Sequence, residues 1–216
     1  MDLPGSIAER INEHTGSAIC QTSPLGGGCV ADVQRIVLKD GRQIVAKVGS
    51  SECTLAIEGF MLRYLAAKSS FPVPEVLFCQ DDLLVLQFLP SNGPLNQATQ
   101  IDAADAVADL HRITQDTFGF ECDTVIGGLP QPNPFTDSWL TFFRDARLCH
   151  MADEAVAVRR LPVELRHRID HLAERLETWI NNSGSPALLH GDLWRGNILC
   201  ANSRVSGFID PAIYFG

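Results

Sequence analysis

Short apolar runs separated by turn residues fill the first ninety positions and predict a β-sheet. The runs that read as strands cover residues 18–25, 30–38, 42–48 and 81–90. Asp40-Gly41 separates the second run from the third and is a strong hairpin signal. Helical spacing of apolar residues predicts two helices beside the sheet, at residues 5–16 and 51–68. The stretch 71–78 carries two prolines and is expected to be an extended connector.

The pattern changes from strands to helices after residue 90. Helical patterns cover residues 102–113, 137–151 and 163–180, and short strand patterns return around residues 188–210. We therefore predict an α+β protein with two lobes. The N-terminal lobe, residues 1–90, would hold an antiparallel sheet and a helix. The C-terminal lobe, residues 91–216, would be mostly helical.

Composition narrows the class of protein. Hydrophobic residues make up 45% of the 216 positions and charged residues 20%, as in ordinary globular proteins. The formal net charge of −9 and the lack of a basic run interleaved with aromatics disfavour nucleic acids and membrane surfaces as partners. The N-terminus has no signal-peptide pattern, and the seven cysteines form no C-x-x-C pair. We therefore expect a cytoplasmic protein without a disulfide framework or a zinc site.

Two features of the predicted sheet suggest a site for phosphates. Gly26, Gly27 and Gly28 occupy the first turn, where the backbone could approach an anion, although such a run is also an ordinary flexible turn. Lys47 lies among apolar residues near the end of the third strand, and Glu58 on the next helix could pair with it. A surface lysine and a solvated glutamate would explain the same two residues.

The stretch LLHGDLWRGNILC, residues 188–200, places a carboxylate and an amide in one turn between two apolar runs. Asn197 follows Asp192 by five residues, and Asp210 follows it by eighteen, after another apolar run. Such side chains could merely satisfy their own turns. Phosphoryl transfer, however, needs one carboxylate that accepts a proton, together with an amide and a second carboxylate that hold Mg²⁺. With the upstream lysine and glutamate, the spacing favours a site for ATP and Mg²⁺.

These motifs resemble the fructosamine (ketosamine) kinases, relatives of the aminoglycoside and choline phosphotransferases within the protein-kinase-like superfamily. The core H-G-D-x-x-x-x-N is shared across that superfamily, whereas Trp194 and the D-P-A-x-Y-F-G run from Asp210 are narrower marks of the family. Residues 118–148, which contain F-G, I-G, P-Q-P-N and R-L, carry a third mark. The resemblance covers nearly the whole chain and implies a two-lobed protein-kinase-like fold.

The resemblance also implies a role for each candidate residue. Asp192 would accept the proton of the acceptor hydroxyl, and Asn197 and Asp210 would bind Mg²⁺. Lys47 with Glu58 would orient the phosphates of ATP. The hinge that meets adenine through its backbone would be formed by Gln87, Phe88 and Leu89. Trp194 would lie beside the sugar-amine site.

The implied acceptor is a ketosamine, a fructosamine or ribulosamine adduct of a protein or metabolite, and phosphorylation of its sugar hydroxyl would serve deglycation. An aminoglycoside or amino-alcohol phosphotransferase and a nucleotide-binding protein without catalysis are the alternatives. Arg195 stands where the family often has a small residue. The family continues for several helices beyond the position of Gly216, so we expect either a fragment or a short member in which the nucleotide half of the site is complete.

Cys29 directly follows the three glycines and is a candidate for redox control. Nearby backbone amides and Lys47 would lower the pKa of its thiol. A disulfide between two chains at this position would create an oligomer and block ATP. The alternative is a small apolar residue that fills the end of a strand.

Overall fold

The computed structural model describes residues 3–26, 31–50, 55–181 and 184–216. The chain forms two compact units. The first comprises Met1–Leu110, Val125–Leu129 and Asp192–Pro211, and the second comprises His111–Thr124, Pro130–Gly191 and Ala212–Gly216. The lobes predicted from the sequence, 1–90 and 91–216, are a different division of the chain and stay a prediction.

The first unit contains a five-stranded antiparallel sheet. Its strands are β1 (Ile19–Pro24), β2 (Asp32–Leu38), β3 (Gln43–Val48), β4 (Val76–Cys79) and β5 (Leu83–Gln87). They pair in the order β1-β2-β3-β5-β4, so the predicted N-terminal antiparallel sheet is confirmed. The predicted connector over 71–78 is wrong in its second half, because β4 begins after both prolines, where no ladder donor is missing.

The two faces of this sheet pack against different helices, because successive strand residues point to opposite sides. One face packs against α1 (Gly5–Thr15) through Ile7, Ile11, Ile36, Leu38, Ile44 and Ala46. The other face packs against α2 (Leu55–Lys68) through Leu55, Leu62, Leu84 and Leu86. Both predicted helices are therefore present, although residues 51–54 of the second lie outside the described ranges.

The remainder of the first unit supports a two-stranded hairpin. This unit also contains α3 (Gln97–Leu110) and the Gly-Gly turn between the short strands β6 (Thr124–Ile126) and β7 (Leu129–Gln131), a turn that the sequence patterns did not predict. The strands β9 (Ile198–Ala201) and β10 (Arg204–Phe208) pair antiparallel. Asp102 of α3 accepts a hydrogen bond from the backbone N–H of Val205 at 2.7 Å, and this bond holds the hairpin against the helix.

The second unit is mostly helical. It contains α4 (Trp139–Phe143), a π-helix over Arg144–Cys149, α5 (His150–Ala157), α6 (Val163–Ala173) and the strand pair β8 (Leu188–Leu189) and β11 (Tyr214–Phe215). The helix predicted over 163–180 ends earlier, and a short 3-10 helix follows it at Leu176–Thr178. No helix within the described ranges is long and apolar enough to cross a membrane.

Candidate active site

Strand β3 presents Lys47 to the face of the sheet that carries α2. Its neighbour Ala46 is fully buried against α1 on the opposite face, and strand side chains alternate. Lys47 pairs in register with Val33 of β2 and Leu84 of β5, so it lies on an interior strand. Its side chain is only 12% exposed, which rules out the alternative of a surface lysine.

Lys47 makes ion pairs with two carboxylates. Its Nζ lies 2.7 Å from Glu58 Oε1 and also contacts Asp210 Oδ1. Burial on its own would lower the pKa of Lys47, but the charges of Glu58 and Asp210 outweigh burial and raise it. Lys47 therefore stays cationic at neutral pH. Burial also raises the pKa of Glu58, an effect that the Lys47 ammonium opposes.

The turn that follows β8 joins Asp192 to Asn197. The Asn197 amide nitrogen donates to the Asp192 carbonyl oxygen at 2.8 Å and to its carboxylate Oδ2 at 3.1 Å. Asn197 is only 3% exposed, and its backbone carbonyl oxygen accepts from the Ile209 N–H at 3.1 Å. Because the amide nitrogen is committed to Asp192, the Oδ1 atom of Asn197 is the one that can bind a metal.

Asp210 adopts a backbone conformation that is rare for residues with a side chain. Its φ angle is +54°, in the left-handed region that favours glycine, although Asp tolerates this region better than most residues. Such conformations cost about 1–3 kcal/mol and cluster at functional sites. The geometry turns the carboxylate of Asp210 toward Lys47.

One cavity of about 200 Å³ in the first unit brings the candidate side chains together. Its polar wall consists of Lys47, Glu58, Asp192, Asn197 and Asp210. The remaining wall consists of Ala31, Val33, Leu55, Met61, Val125, Gly127, Gly128, Trp194 and Pro211. The predicted catalytic, metal-binding and phosphate-orienting residues therefore line a single space.

A second cavity of about 160 Å³ shares Val33, Lys47 and Asp210 with the first. The predicted hinge residues line it, together with Gly26 of the glycine turn and a mostly apolar wall: Leu25, Val45, Pro74, Leu86, Leu199 and Ile209. Gly27, Gly28 and Cys29 lie outside the described residues. The apolar wall suits a flat aromatic group, and the shared lysine and aspartate lie between this wall and Asp192.

The hinge side chains are engaged with the sheet. The guanidinium of Arg35 lies 4.6 Å from the centre of the Phe88 ring, and the Phe88 N–H donates to the Gln43 carbonyl at 3.4 Å. The Gln87 side chain accepts from the Glu75 N–H at 3.4 Å. These contacts hold Gln87 and Phe88 against the sheet, and the hinge role that the family resemblance implies for them stays a prediction.

Trp194 lies at the mouth of the first cavity and is not a core residue, because 61% of its surface is exposed. Its indole ring covers the Cα atom of Gly196, where a methyl group would overlap the ring. The missing side chain at Gly196 therefore lets the indole pack directly against the turn between Asp192 and Asn197.

Several residues of this cavity were missed from the sequence, above all Gly127 and Gly128 in the turn between β6 and β7. Both have positive φ angles, +53° and +81°, as in a tight two-residue hairpin. A Gly-Gly pair between two short apolar runs is the signal that would have predicted this turn.

The donor set fits Mg²⁺ held together with a nucleotide. Asp210 and Asn197 offer the oxygen ligands that Mg²⁺ prefers, and Mg²⁺ often binds through only one or two protein ligands plus substrate phosphates. No group of three His, Cys, Asp or Glu residues that could hold a metal by itself occurs in the described ranges. A metal shared between these two residues and ATP is consistent with that finding.

A sheet lysine paired with a helix glutamate, a D-x-x-x-x-N turn and an aspartate after the following strands define a phosphotransferase of the protein-kinase-like fold. The chain belongs to the fructosamine kinase family, whose sequence model matches residues 4–216.

Individual proteins agree with this assignment. A "probable ketoamine kinase" of Synechocystis sp. is 31% identical over 227 residues, which cover 98% of this chain and 73% of that protein. The crystal structure of a "putative fructosamine-3-kinase" from Thermobifida fusca matches with a TM-score of 0.85 at 25% identity and covers 99% of this chain and 75% of that one. Among the curated ketoamine kinases that it matches, the chain spans as little as 43% of the relative's length.

A mutant aminoglycoside phosphotransferase, APH(4)-Ia, in complex with AMP-PNP and hygromycin B matches with a TM-score of 0.68. Its 17% identity over 99% of this chain and 73% of that one shows a shared fold alone. The α+β, protein-kinase-like fold predicted from the sequence is thus confirmed.

Proposed function

We propose that this protein transfers the γ-phosphoryl group of ATP to a sugar hydroxyl of a ketosamine. The observation that carries the proposal is the first cavity, in which Lys47, Asp192, Asn197 and Asp210 line one space beside an exposed tryptophan. Membership of the fructosamine kinase family supports the ketosamine as the acceptor.

The two cavities suggest how ATP would lie. Adenine would occupy the second cavity, between the apolar residues of the sheet and Leu199 and Ile209, with its edge toward the hinge backbone. The phosphates would then extend past Lys47 and Asp210, which both cavities share. Lys47 would contact the phosphates, and Glu58 would hold the lysine in place.

Asp192 would act as the base. Its carboxylate would accept the proton of the attacking sugar hydroxyl, while Asn197 holds the carboxylate through its amide nitrogen. Asn197 and Asp210 would bind Mg²⁺, which neutralises charge on the transferring phosphoryl group when bound. Each of these residues would therefore have a separate task within one cavity.

Trp194 would contact the acceptor. A ketosamine combines a sugar, whose C–H face is apolar, with an amine that is cationic at neutral pH, and an indole face attracts both. The exposed indole at the mouth of the first cavity, next to Asp192, is in a suitable place to receive this group.

The product would be a sugar phosphate still attached to its amine. In the proposed function this phosphorylation destabilises the adduct and frees the amine, which is a repair of glycated proteins or metabolites. A cytoplasmic location, and an oligomer formed through Cys29, stay predictions from the sequence.

A substrate panel tests this proposal. ADP release would be measured with Mg·ATP and one of four acceptors: fructosyl-lysine, ribulosyl-lysine, kanamycin or choline. We expect turnover with one or both ketosamines, and none with Asp192→Asn. Turnover with kanamycin or choline alone would favour the aminoglycoside or amino-alcohol alternative. Binding of Mg·ATP without turnover of any acceptor would favour the non-catalytic alternative.

A further inference from the structure

Helix α2 carries a glycine at a position where it packs closely against the sheet. Gly59 lies in the interior of the helix and is buried, at a point where glycine is less favourable than alanine. A methyl group on Gly59 would overlap Cys79 Sγ and would lie 3.1 Å from Cys79 Cβ and 3.3 Å from Leu84 Cδ1. Only the absence of a side chain lets the helix lie this close to β4 and β5.

Cys79 of β4 packs against α2 at Gly59. Its Sγ lies 3.4 Å from the Leu55 carbonyl oxygen in the first turn of α2, so the thiol contacts the helix backbone directly. Burial raises the pKa of the Cys79 thiol, which therefore stays protonated and behaves as a small packing residue.

The residue before Gly59 in the helix is Glu58, which pairs with Lys47. A helix is a rigid element, so a shift of α2 away from the sheet at Gly59 would carry the Glu58 carboxylate away from Lys47 Nζ. We propose that Gly59 and Cys79 are positioning residues, whose contact sets the height of α2 above the sheet and thereby the Lys47–Glu58 ion pair. This inference rests on the proposed role of that pair in binding Mg·ATP.

Complementary substitutions test the contact. Gly59→Ala should lower kcat/KM for Mg·ATP by about 10- to 100-fold, the range expected when a catalytic group moves by about 1 Å. Gly59→Ala/Cys79→Ala should regain most of this loss, because the substitution at position 79 removes the overlapping sulfur and leaves only the longer approaches to Cys79 Cβ and Leu84 Cδ1. Cys79→Ala alone should lower kcat/KM by less than Gly59→Ala does, because it leaves a gap at the contact and not an overlap. Gly5→Ala is a matched control, because Gly5 is a helical glycine of the same unit with open space around it.

A double-mutant cycle separates this role from general packing. Glu58→Gln should weaken Mg·ATP binding in the parent but add little in Gly59→Ala, because the ion pair is already displaced there. Full additivity would overturn the inference, as would parent-like activity of Gly59→Ala. A folded Gly59→Ala/Cys79→Ala variant that fails to regain Mg·ATP binding would also overturn the inference. So would a Gly59→Ala/Cys79→Ala variant that does not fold.

Lys47→Met distinguishes this inference from the proposed function itself. If Lys47→Met binds Mg·ATP as tightly as the parent, the proposed nucleotide site is wrong. If Lys47→Met loses binding while Gly59→Ala keeps it, the nucleotide site stands and the Gly59–Cys79 contact does not position it. Calorimetry with Mg·AMP-PNP gives this readout without any acceptor.

Discussion

Lys47 and Asp210 form an ion pair although 163 positions separate them in the sequence. In this arrangement the Asp210 carboxylate, which is proposed to bind Mg²⁺, is paired with the Lys47 ammonium, which is proposed to bind phosphate. Two carboxylates, Glu58 and Asp210, share the one ammonium, which leaves negative charge for a further cation. We therefore expect Mg·ATP to bind with an exchange of partners, in which Asp210 turns to the metal and Lys47 to the phosphates.

Asp210→Ala should weaken the binding of Mg·ATP more than the binding of ATP without metal. The reason is that the substitution removes a metal ligand and at the same time releases Lys47 to the phosphates. Calorimetric titration with AMP-PNP, with and without Mg²⁺, measures the difference. An unchanged Mg²⁺ dependence would remove Asp210 from the metal site.

Asp192→Asn should abolish phosphoryl transfer while Mg·ATP still binds. A general base of this kind contributes about 10²–10⁴-fold to the rate, and the amide cannot accept the hydroxyl proton. Asn197 would still find an acceptor in the Asp192 backbone carbonyl, so the turn should keep its shape. Turnover near that of the parent would show that Asp192 is not the base.

Trp194→Ala should raise KM for the acceptor and leave KM for ATP unchanged, because the indole lines the first cavity and not the second. Stacking of this kind is worth roughly 0.5–2 kcal/mol. Trp194→Phe keeps an aromatic face and should lose less. Equal increases in both KM values would mean that Trp194 supports the whole turn rather than the acceptor.

Arg10 and Asp82 provide a pH-dependent contribution to stability. The two terminal guanidinium nitrogens of Arg10 each donate to Asp82 at 2.8 Å, and this hydrogen bonding holds the pKa of Asp82 below its usual value. A carboxyl whose folded pKa is lowered contributes stability above its unfolded pKa, near 3.8, and loses it as pH falls through the folded pKa. Since both side chains are partly exposed, Arg10→Ala should cost only about 0.2–1 kcal/mol at pH 7.

Thermal unfolding at pH 7 and at about pH 2 checks this contribution. The difference between the parent and Arg10→Ala should shrink at acid pH and also at high salt, because salt screens exposed charges. Asp82→Asn is the matched control, since it removes the titrating group and should show the same small loss at neutral pH. A difference that stays constant with pH would mean that Arg10 acts through its contact with Phe78 instead.

Much of the site could be predicted because its residues are close in sequence or sit on regular elements. The D-x-x-x-x-N turn is a local motif, and Lys47 stands out as a charge within an apolar strand. The pairing of Lys47 with Glu58 follows from the short distance between a strand and the next helix. Asp210 was predicted as a residue after an apolar run, but its ion pair with Lys47 depends on tertiary structure.

Some features escaped prediction because the local sequence signal was weak, and others because they depend on packing between distant segments. The turn at Gly127 and Gly128 lies in a stretch with weak strand patterns, and its place in the cavity wall cannot be read from residue types. Strand β4 was missed because the two prolines before it predicted an extended connector. The contact of Gly59 with Cys79 joins residues twenty positions apart, and nothing local marks either of them.

The fate of the γ-phosphate tests the central claim most directly. Phosphorus NMR would follow Mg·ATP and fructosyl-lysine with the parent protein and with Asp192→Asn. We predict a phosphomonoester signal on the sugar, formed in step with ADP by the parent and absent with Asp192→Asn. Formation of ADP with inorganic phosphate alone, or no ADP from a protein that binds Mg·ATP, would contradict the account.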